Sequence, residues 1–261
     1  MNISILRDNP QLVLPPQRLL GAYLQEIRAE CLRYLRSPGF LLPTFLFPAT
    51  FYLLFAVVLG KAQPPEVARF LLGSYATFGV MAPGLFGFGM SLALERDNGL
   101  LTLKRALPMP PLAYLLGKMV MAMMMGLAIV LVLQVLAVTV AGVPLSASQA
   151  LRLTAVATFG TLPFCALGLL LGTLVKGNGA PAAINLVYLP MAVLSGLWFP
   201  LKMLPSVLRE QAWIWPSYHL NALAQGALDF PVGRLWPHVL WLAGFALVVT
   251  GLAAWRLRRH G

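Results

Sequence analysis

Apolar residues run along this chain in long blocks and do not alternate with polar ones. No Asp, Glu, Lys or Arg occurs between Lys118 and Arg152, between Arg152 and Lys176, between Lys176 and Lys202, or between Arg234 and Arg256. A helix needs about 20 apolar residues to cross a bilayer core. Backbone in lipid must satisfy its own hydrogen bonds, which leaves helices or closed barrels. Barrel strands alternate polar and apolar residues, whereas residues 119–140 are apolar on every side. The pattern therefore predicts six helical spans, at about 40–60, 70–94, 119–140, 153–175, 180–199 and 238–255. Pro43 and Pro48 predict a bent first span. The second carries Gly73, Gly79, Gly84, Gly87 and Gly89, small residues that let helices approach closely in lipid.

Upstream of the first block the period changes. Leu20, Leu24, Ile27, Cys31 and Tyr34 recur every three or four residues. Arg18, Glu26, Arg28, Glu30, Arg33 and Arg36 lie mostly on other faces. This is an amphipathic helix over 17–36. It is too charged to cross, so it is expected on the inner membrane surface. Ser37, Pro38 and Gly39 end it. The fold class expected is an all-α integral membrane protein in two parts. Residues 1–39 form an arm and surface helix. Residues 40–261 form a six-span domain with a cytoplasmic loop at 95–118 and an extracytoplasmic segment at 200–237.

Composition agrees. Of 261 residues, 59% are hydrophobic and 10% charged, against about 25% charged in soluble domains. A water-soluble fold of this size could not hide that much apolar surface. The net charge of +11 does not point to nucleic acid, because no basic stripe interleaves with aromatics. The basic residues mark orientation instead. Thirteen of the 19 Lys and Arg fall in the N-terminal segment, the 95–118 loop, the turn at Lys176 and the C-terminus, which predicts both termini in the cytoplasm. The N-terminus lacks a cleaved-signal pattern, so the first span is expected to target the chain. Cys31 and Cys165 fall in different compartments, so no disulfide is expected. With three scattered His they make no metal-ligand spacing.

The chemistry-bearing motifs are mostly missing. Gly117-Lys118 is followed by Met119 and lacks the earlier glycine of a phosphate loop. There is no His-Glu-x-x-His or Gly-x-Ser-x-Gly, and no acid in mid-span, where ion-coupled carriers keep one. Energy for any transport must then enter from outside the chain. Gln134, Asn185 and Tyr188 are the notable polar residues in spans. Such groups usually bond a neighbouring helix, and Asn185 and Tyr188 are also candidates for a substrate path. Trp198, Trp213, Trp215, Trp236 and Trp241 gather at the predicted outer boundary, as membrane anchors do; contact with an amphipathic substrate is the sharper alternative. Met119, Met121, Met123, Met124 and Met125 read as packing, and His219 and His238 as structural.

The run Glu95-Arg96-Asp97-Asn98-Gly99-Leu100-Leu101, then Leu107-Pro108, then Leu115-Leu116-Gly117-Lys118, resembles the signature after the second span of ABC type-2 transporter permeases. That family commonly reads Glu-Arg-Glu-x-Gly-Thr-Leu-Glu, then Thr-Pro, then Gly-Lys. Ser195-Gly196, Phe199-Pro200, Leu204-Pro205 and Pro216-Ser217-Tyr218-His219 resemble its segment between the fifth and sixth spans. Leu100, Thr102 and Leu107 depart from the pattern, which bears on which ATPase is recognised.

The resemblance implies the permease subunit of an ATP-driven ABC exporter in the bacterial cytoplasmic (inner) membrane, working by alternating access. Its partners would be an ABC ATPase chain, a second copy of itself or a homologous permease, and membrane lipid. It would carry no cofactor, with ATP and magnesium on the partner. ATPase coupling would fall to Glu95, Arg96, Asp97, Gly99, Leu101, Leu103, Lys104 and Arg105. The first, second and fifth spans would line the path, with Asn185, Tyr188 and Trp198 on it, and residues 200–215 would dip as short helices into the outer leaflet. The cargo expected is an amphipathic drug, lipid, glycan or peptide. Two other classes remain at this stage. One is a scaffold or assembly subunit needing no ATPase. The other is a lipid-modifying membrane enzyme, which would need an acid or His cluster at the inner interface.

Overall fold

The computed structural model describes residues 16–60, 64–101, 103 and 111–260, and among these all regular structure is helical. Among the described residues, besides a short helical stretch that includes Leu100, Leu101 and Leu103, nine α-helical elements follow in order. They are α1 (Pro16–Leu35), α2 (Pro38–Val58), α3 (Pro65–Asp97), α4 (Pro111–Thr139) and α5 (Ala147–Leu174). Then come α6 (Ala180–Leu194), α7 (Ser206–Glu210), α8 (Pro216–Ala227) and α9 (Trp236–His260). Among the described residues, α2, α3, α4, α5 and α9 are long and apolar enough to cross a membrane, which makes this a multi-pass membrane protein.

The stretch expected as a fifth span is shorter than the sequence pattern implied. α6 has 15 residues, about 22 Å of helix against a hydrocarbon core of about 30 Å. Gly196 ends it in the left-handed region at φ 75°. The Leu197 N–H then bonds back to Ala192 O at 3.1 Å, the six-to-one bond of a glycine-capped helix end. Hydropathy continues through Phe199, but the helix does not.

α3 is the central helix. Its residues 72–85 are buried without a break. From Pro83 to Met90 it widens into a π-helix, where Pro83 has no N–H to give to the ladder. In that stretch it presses against α5. A Cβ on Gly168 would lie 2.3 Å from Gly84 O, and one on Gly89 would lie 2.6 Å from Gly168 O. Helix α8, though short, is buried between α3, α5 and α9. Gln225 Nε2 donates to Phe70 O at 2.9 Å and Ser74 Oγ at 3.2 Å, which ties α8 to α3.

Two boundaries move in ways that matter for function. α3 stays helical through Asp97, so Glu95, Arg96 and Asp97 sit on a helix end and not in a loop. α4 begins at Pro111, so Lys118 lies two turns inside a helix and not at a loop's edge. α1 also turns differently from expectation. Tyr34 is buried, but Leu20 and Leu24 are exposed while Glu30 points inward.

The two ends of the bundle segregate the charges that the sequence assigned to opposite sides. Glu30, Arg33, Glu95 and Lys118 meet at one end. At the other, Arg152 pairs with Asp229 at 2.8 Å and Arg69 lies over Phe230. Hydrogen bonds from Gln149 and Arg152 hold the Asp229 carboxyl below its usual range.

Candidate functional site

Three helical pairs build the charged end. Glu30 and Arg33 are spaced i,i+3 on α1; Ser91 and Glu95 are i,i+4 on α3; Tyr114 and Lys118 are i,i+4 on α4. Such spacings put both members of a pair on one helix face, and the three faces converge. Lys118 is 0% exposed, and Glu30 and Glu95 are each 3% exposed. Lys118 Nζ donates to Ser91 Oγ at 2.7 Å, Glu95 Oε1 at 3.0 Å and Glu30 Oε2 at 3.1 Å. It also stands 4.9 Å from the centre of the Tyr114 ring. Arg33 bonds Glu30 and Glu95 with separate nitrogens. Two cations thus balance two carboxylates where unpaired charge would be costly. Burial lowers the Arg33 guanidinium's pKa, but Glu30 and Glu95 outweigh it and hold it above its ordinary value. Gly117 makes the approach of α1 possible: a Cβ there would lie 3.0 Å from Glu26 Cγ. The Gly117-Lys118 pair therefore has a structural meaning in which no nucleotide takes part.

The next two residues of the motif face a different element. Arg96 reaches the end of α5, where helix carbonyls lack internal partners. Its Nη1 donates to Thr173 O at 2.8 Å and Gly172 O at 3.3 Å, and its Nη2 to Val175 O at 2.7 Å. Asp97 Oδ2 accepts the Gly177 N–H at 2.6 Å in the turn before α6. Three consecutive residues thus join the end of α3 to α1 and α4, to α5, and to the α5–α6 turn. Gly99 follows at φ 72° and lets the chain leave the helix. Beyond it Leu101 packs inward, whereas Leu100 is 43% and Leu103 is 61% exposed. Lys104 and Arg105 lie outside the described residues.

An Arg96→Ala chain is expected to lose about 2 kcal/mol of stability, since charge-assisted hydrogen bonds are worth about 1.5–3 kcal/mol. Arg96→Lys is expected to recover only part, because an ammonium cannot fork across several carbonyls. Denaturant unfolding in detergent checks both.

The three predicted path residues meet in one place. Asn185, Tyr188 and Trp198 line a cavity of about 430 Å³ between α2, α3 and α6. Aromatic side chains make up nearly half of its walls. Phe78 stacks on Tyr188 at 5.0 Å, and Trp198 lies 5.4 Å from Phe51. Tyr188 Oη donates to Phe78 O at 3.2 Å. Among the described residues, no charged side chain lines this chamber. A second cavity of about 210 Å³ opens beside the charged cluster, lined by Glu30, Arg33, Ser91 and Glu95 among others. The two share Phe40, Phe86 and Met90 as walls.

Sequence reasoning missed Glu30, Arg33 and Lys118 as members of the site. The available signal was a lone lysine followed by the charge-free run to Arg152, which must find carboxylates if it is buried. The tryptophan group also divides. Trp213 and Trp236 are exposed, as anchors are, whereas Trp198 faces the chamber and Trp241 stacks on His219. Cys31 and Cys165 are both free. Burial, with Glu30 beside it, raises the Cys31 thiol's pKa above its ordinary value, so it is not a reactive thiolate.

Residues 23–228 match the family model of the ABC-2 type transporter. The chain is 27% identical over 236 residues to "Putative transport permease YvfS" of Bacillus subtilis (strain 168), covering 89% of this chain and 95% of that one. It is 26% identical over 204 residues to "Probable multidrug ABC transporter permease YbhS" of Escherichia coli (strain K12), covering 76% of this chain and 54% of that one. It is also 26% identical over 179 residues to "Inner membrane transport permease YhhJ" of the same strain, covering 66% and 46%. The chain thus spans about half the length of the two Escherichia coli relatives.

Proposed function

We propose, from the premise that the chain belongs to the ABC-2 type transporter family, that it is the permease subunit of an ATP-driven exporter. In this reading a separate ATPase chain binds ATP and magnesium and docks at the exposed end beyond Gly99. Leu100 and Leu103 supply the apolar contact, as the exposed leucines there suggest. Glu95, Arg96 and Asp97 act behind that surface, as the link that carries its movement into the bundle.

The observation that carries the reading is this three-way junction. A displacement of the α3 end must pull on α1 and α4 through Glu95 and Lys118, and on α5 and the turn before α6 through Arg96 and Asp97. Helices α2, α3 and α6 border the aromatic chamber. Alternating access would consist of opening that chamber toward one side and then the other. An amphipathic cargo fits a chamber with aromatic walls and a polar annex. Asn185, Tyr188 and Trp198 are the residues assigned to its path.

The remaining features belong to the same proposal. The chain sits in the bacterial cytoplasmic membrane with both termini inside, which the basic-residue bias supports. α1 lies along the inner surface and turns Leu20 and Leu24 to lipid. α6 acts as a short fifth span, continued by the outer turns at Leu201–Met203 and Ala212–Ile214 and by α7. The chain works as a pair, with itself or with a homologous permease.

The test is co-expression with an ABC ATPase from a neighbouring reading frame, if there is one, and purification through a tag on this chain. Leu103→Asp should lower the recovered ATPase by roughly thirty-fold, the effect of losing an interface anchor worth about 2 kcal/mol. Yield of the permease itself should hold, because Leu103 is exposed. Equal ATPase recovery with the variant and the parent chain would sink the assigned docking surface. Failure of the parent chain to retain any ATPase would sink the exporter reading.

A further inference from the structure

His219 and His238, 19 residues apart in sequence, face each other Nδ1 to Nδ1 at 2.8 Å. His219 lies on α8 and His238 in the first turn of α9. The other ring nitrogen of His219, Nε2, is 2.7 Å from Trp213 O in the outer turn Ala212–Ile214. Its ring stacks on Trp241 of α9 at 4.3 Å. One imidazole therefore joins the outer turn, the buried helix α8 and the start of α9.

The geometry fixes where the protons are. A carbonyl only accepts, so His219 Nε2 carries a hydrogen. In the neutral ring its Nδ1 is then an acceptor, and His238 Nδ1 must donate. With each imidazole neutral, every contact is satisfied. A first added proton can sit on His238 Nε2 and leaves the Nδ1–Nδ1 bond intact. A second puts a hydrogen on both Nδ1 atoms. Two N–H groups then point at each other between two positive rings, and the contact cannot persist.

We propose that this pair is an acid-opened latch: at neutral pH it fastens the outer turn and α8 to α9, and double protonation releases them. The environment offers nothing that would absorb the second charge. Tyr218 is the titratable neighbour, its ring 5.3 Å from His219 and 5.9 Å from His238. Among the described residues, no Asp, Glu, Lys or Arg of α3, α5, α8, α9 or the outer turns makes a hydrogen bond or ion pair with either imidazole. Burial depresses the His219 pKa from 6.5, the Trp213 carbonyl offsets this in part, and His238 lowers it further. A depressed histidine stabilises the fold above its unfolded value and loses that contribution as pH falls, the direction the latch requires. Two coupled imidazoles titrate as a unit, in two steps, so opening belongs to the second step.

The latch does not depend on which cargo crosses or which ATPase drives it, so its test uses the permease alone in detergent. Hydrogen exchange, corrected for intrinsic rate, is followed across 206–241 between about pH 7.5 and about pH 4.5, a range that brackets the ordinary imidazole pKa. Protection in the parent chain should fall with pH, by up to about tenfold per unit for each extra proton taken up on opening. His238→Asn keeps an N–H where Nδ1 stands but cannot be protonated, so only His219 is left to titrate and the fall in protection with pH should be shallower than in the parent chain. A His219→Phe and His238→Phe double variant keeps the stack on Trp241 without protons. It should be flat, and it stands in if the Asn variant does not fold. A parent chain with unchanged protection at the acid end would overturn the latch. So would variants that lose protection with pH as the parent does.

Discussion

A Lys118→Met chain is expected to lose about 3–5 kcal/mol of stability, the cost of removing one partner from a buried ion pair. Methionine fills similar volume, so the loss measures charge and not a cavity. Lys118 is fully enclosed, and its ammonium bonds Glu30, Ser91 and Glu95 at once. Without it Arg33 is the cation that still bonds both carboxylates, and its side chain is 42% exposed and therefore partly screened by solvent. Neutralising one of the two acids should restore part of the loss. A Glu30→Gln and Lys118→Met double variant is expected to be more stable than Lys118→Met alone, with a coupling between the sites of about 1–3 kcal/mol, as residues in one network show. Denaturant unfolding in detergent, with fluorescence-detected size exclusion for yield, checks the series. A Lys118→Met chain within about 0.5 kcal/mol of the parent, the size of an ordinary surface substitution, would show that the cluster contributes little.

That cluster also marks where reading the sequence stops. The spans were legible because long charge-free intervals have few alternatives in lipid. Lys118 was hidden by the same logic: a charge reads as the end of a span, yet here α4 starts seven residues earlier at Pro111 and carries the lysine into the bundle. What permits this is two carboxylates from other helices, which no local pattern reveals. The motif beginning at Glu95 was found, but its geometry was not. Glu95, Arg96 and Asp97 bind the bundle's own helices and turns, and the exposed apolar positions are Leu100 and Leu103. Asn185, Tyr188 and Trp198 were legible because polar or amphipathic groups on a span are rare enough to single out. The phenylalanines that complete the chamber are indistinguishable in sequence from those facing lipid. The short α6 was misjudged because hydropathy does not register the backbone bond that closes a helix at Gly196.

A Gly168→Val substitution is expected to be among the most damaging glycine replacements in the bundle, costing more than the roughly 1–3 kcal/mol usual for overpacking. A Cβ on Gly168 would stand 2.3 Å from Gly84 O and 3.2 Å from Gly89 N, where ordinary contact begins at 3.4 Å. Both obstacles are backbone, so no side chain can rotate away. The contact is reciprocal: a Cβ on Gly84 would meet Cys165 N at 2.8 Å, and one on Gly172 would meet Gly89 O at 2.5 Å. Helices in lipid gain little from hydrophobic exclusion and depend on this close packing, so a wedge here removes much of what holds α3 to α5. Gly244→Ala on α9 is the matched control. Nothing lies within 4 Å of its Cβ position, and alanine's better helix propensity should make the change neutral or stabilising by up to about 1 kcal/mol. If both substitutions shift unfolding equally, backbone proximity is not what joins the two helices. If only Gly168→Val fails, the effect should reach the end of α5, where Gly172 and Thr173 carbonyls are held by Arg96. If an ATPase chain docks as proposed, its activity with the milder Gly168→Ala should then resemble that with Arg96→Ala, since both loosen the same joint between α3 and α5.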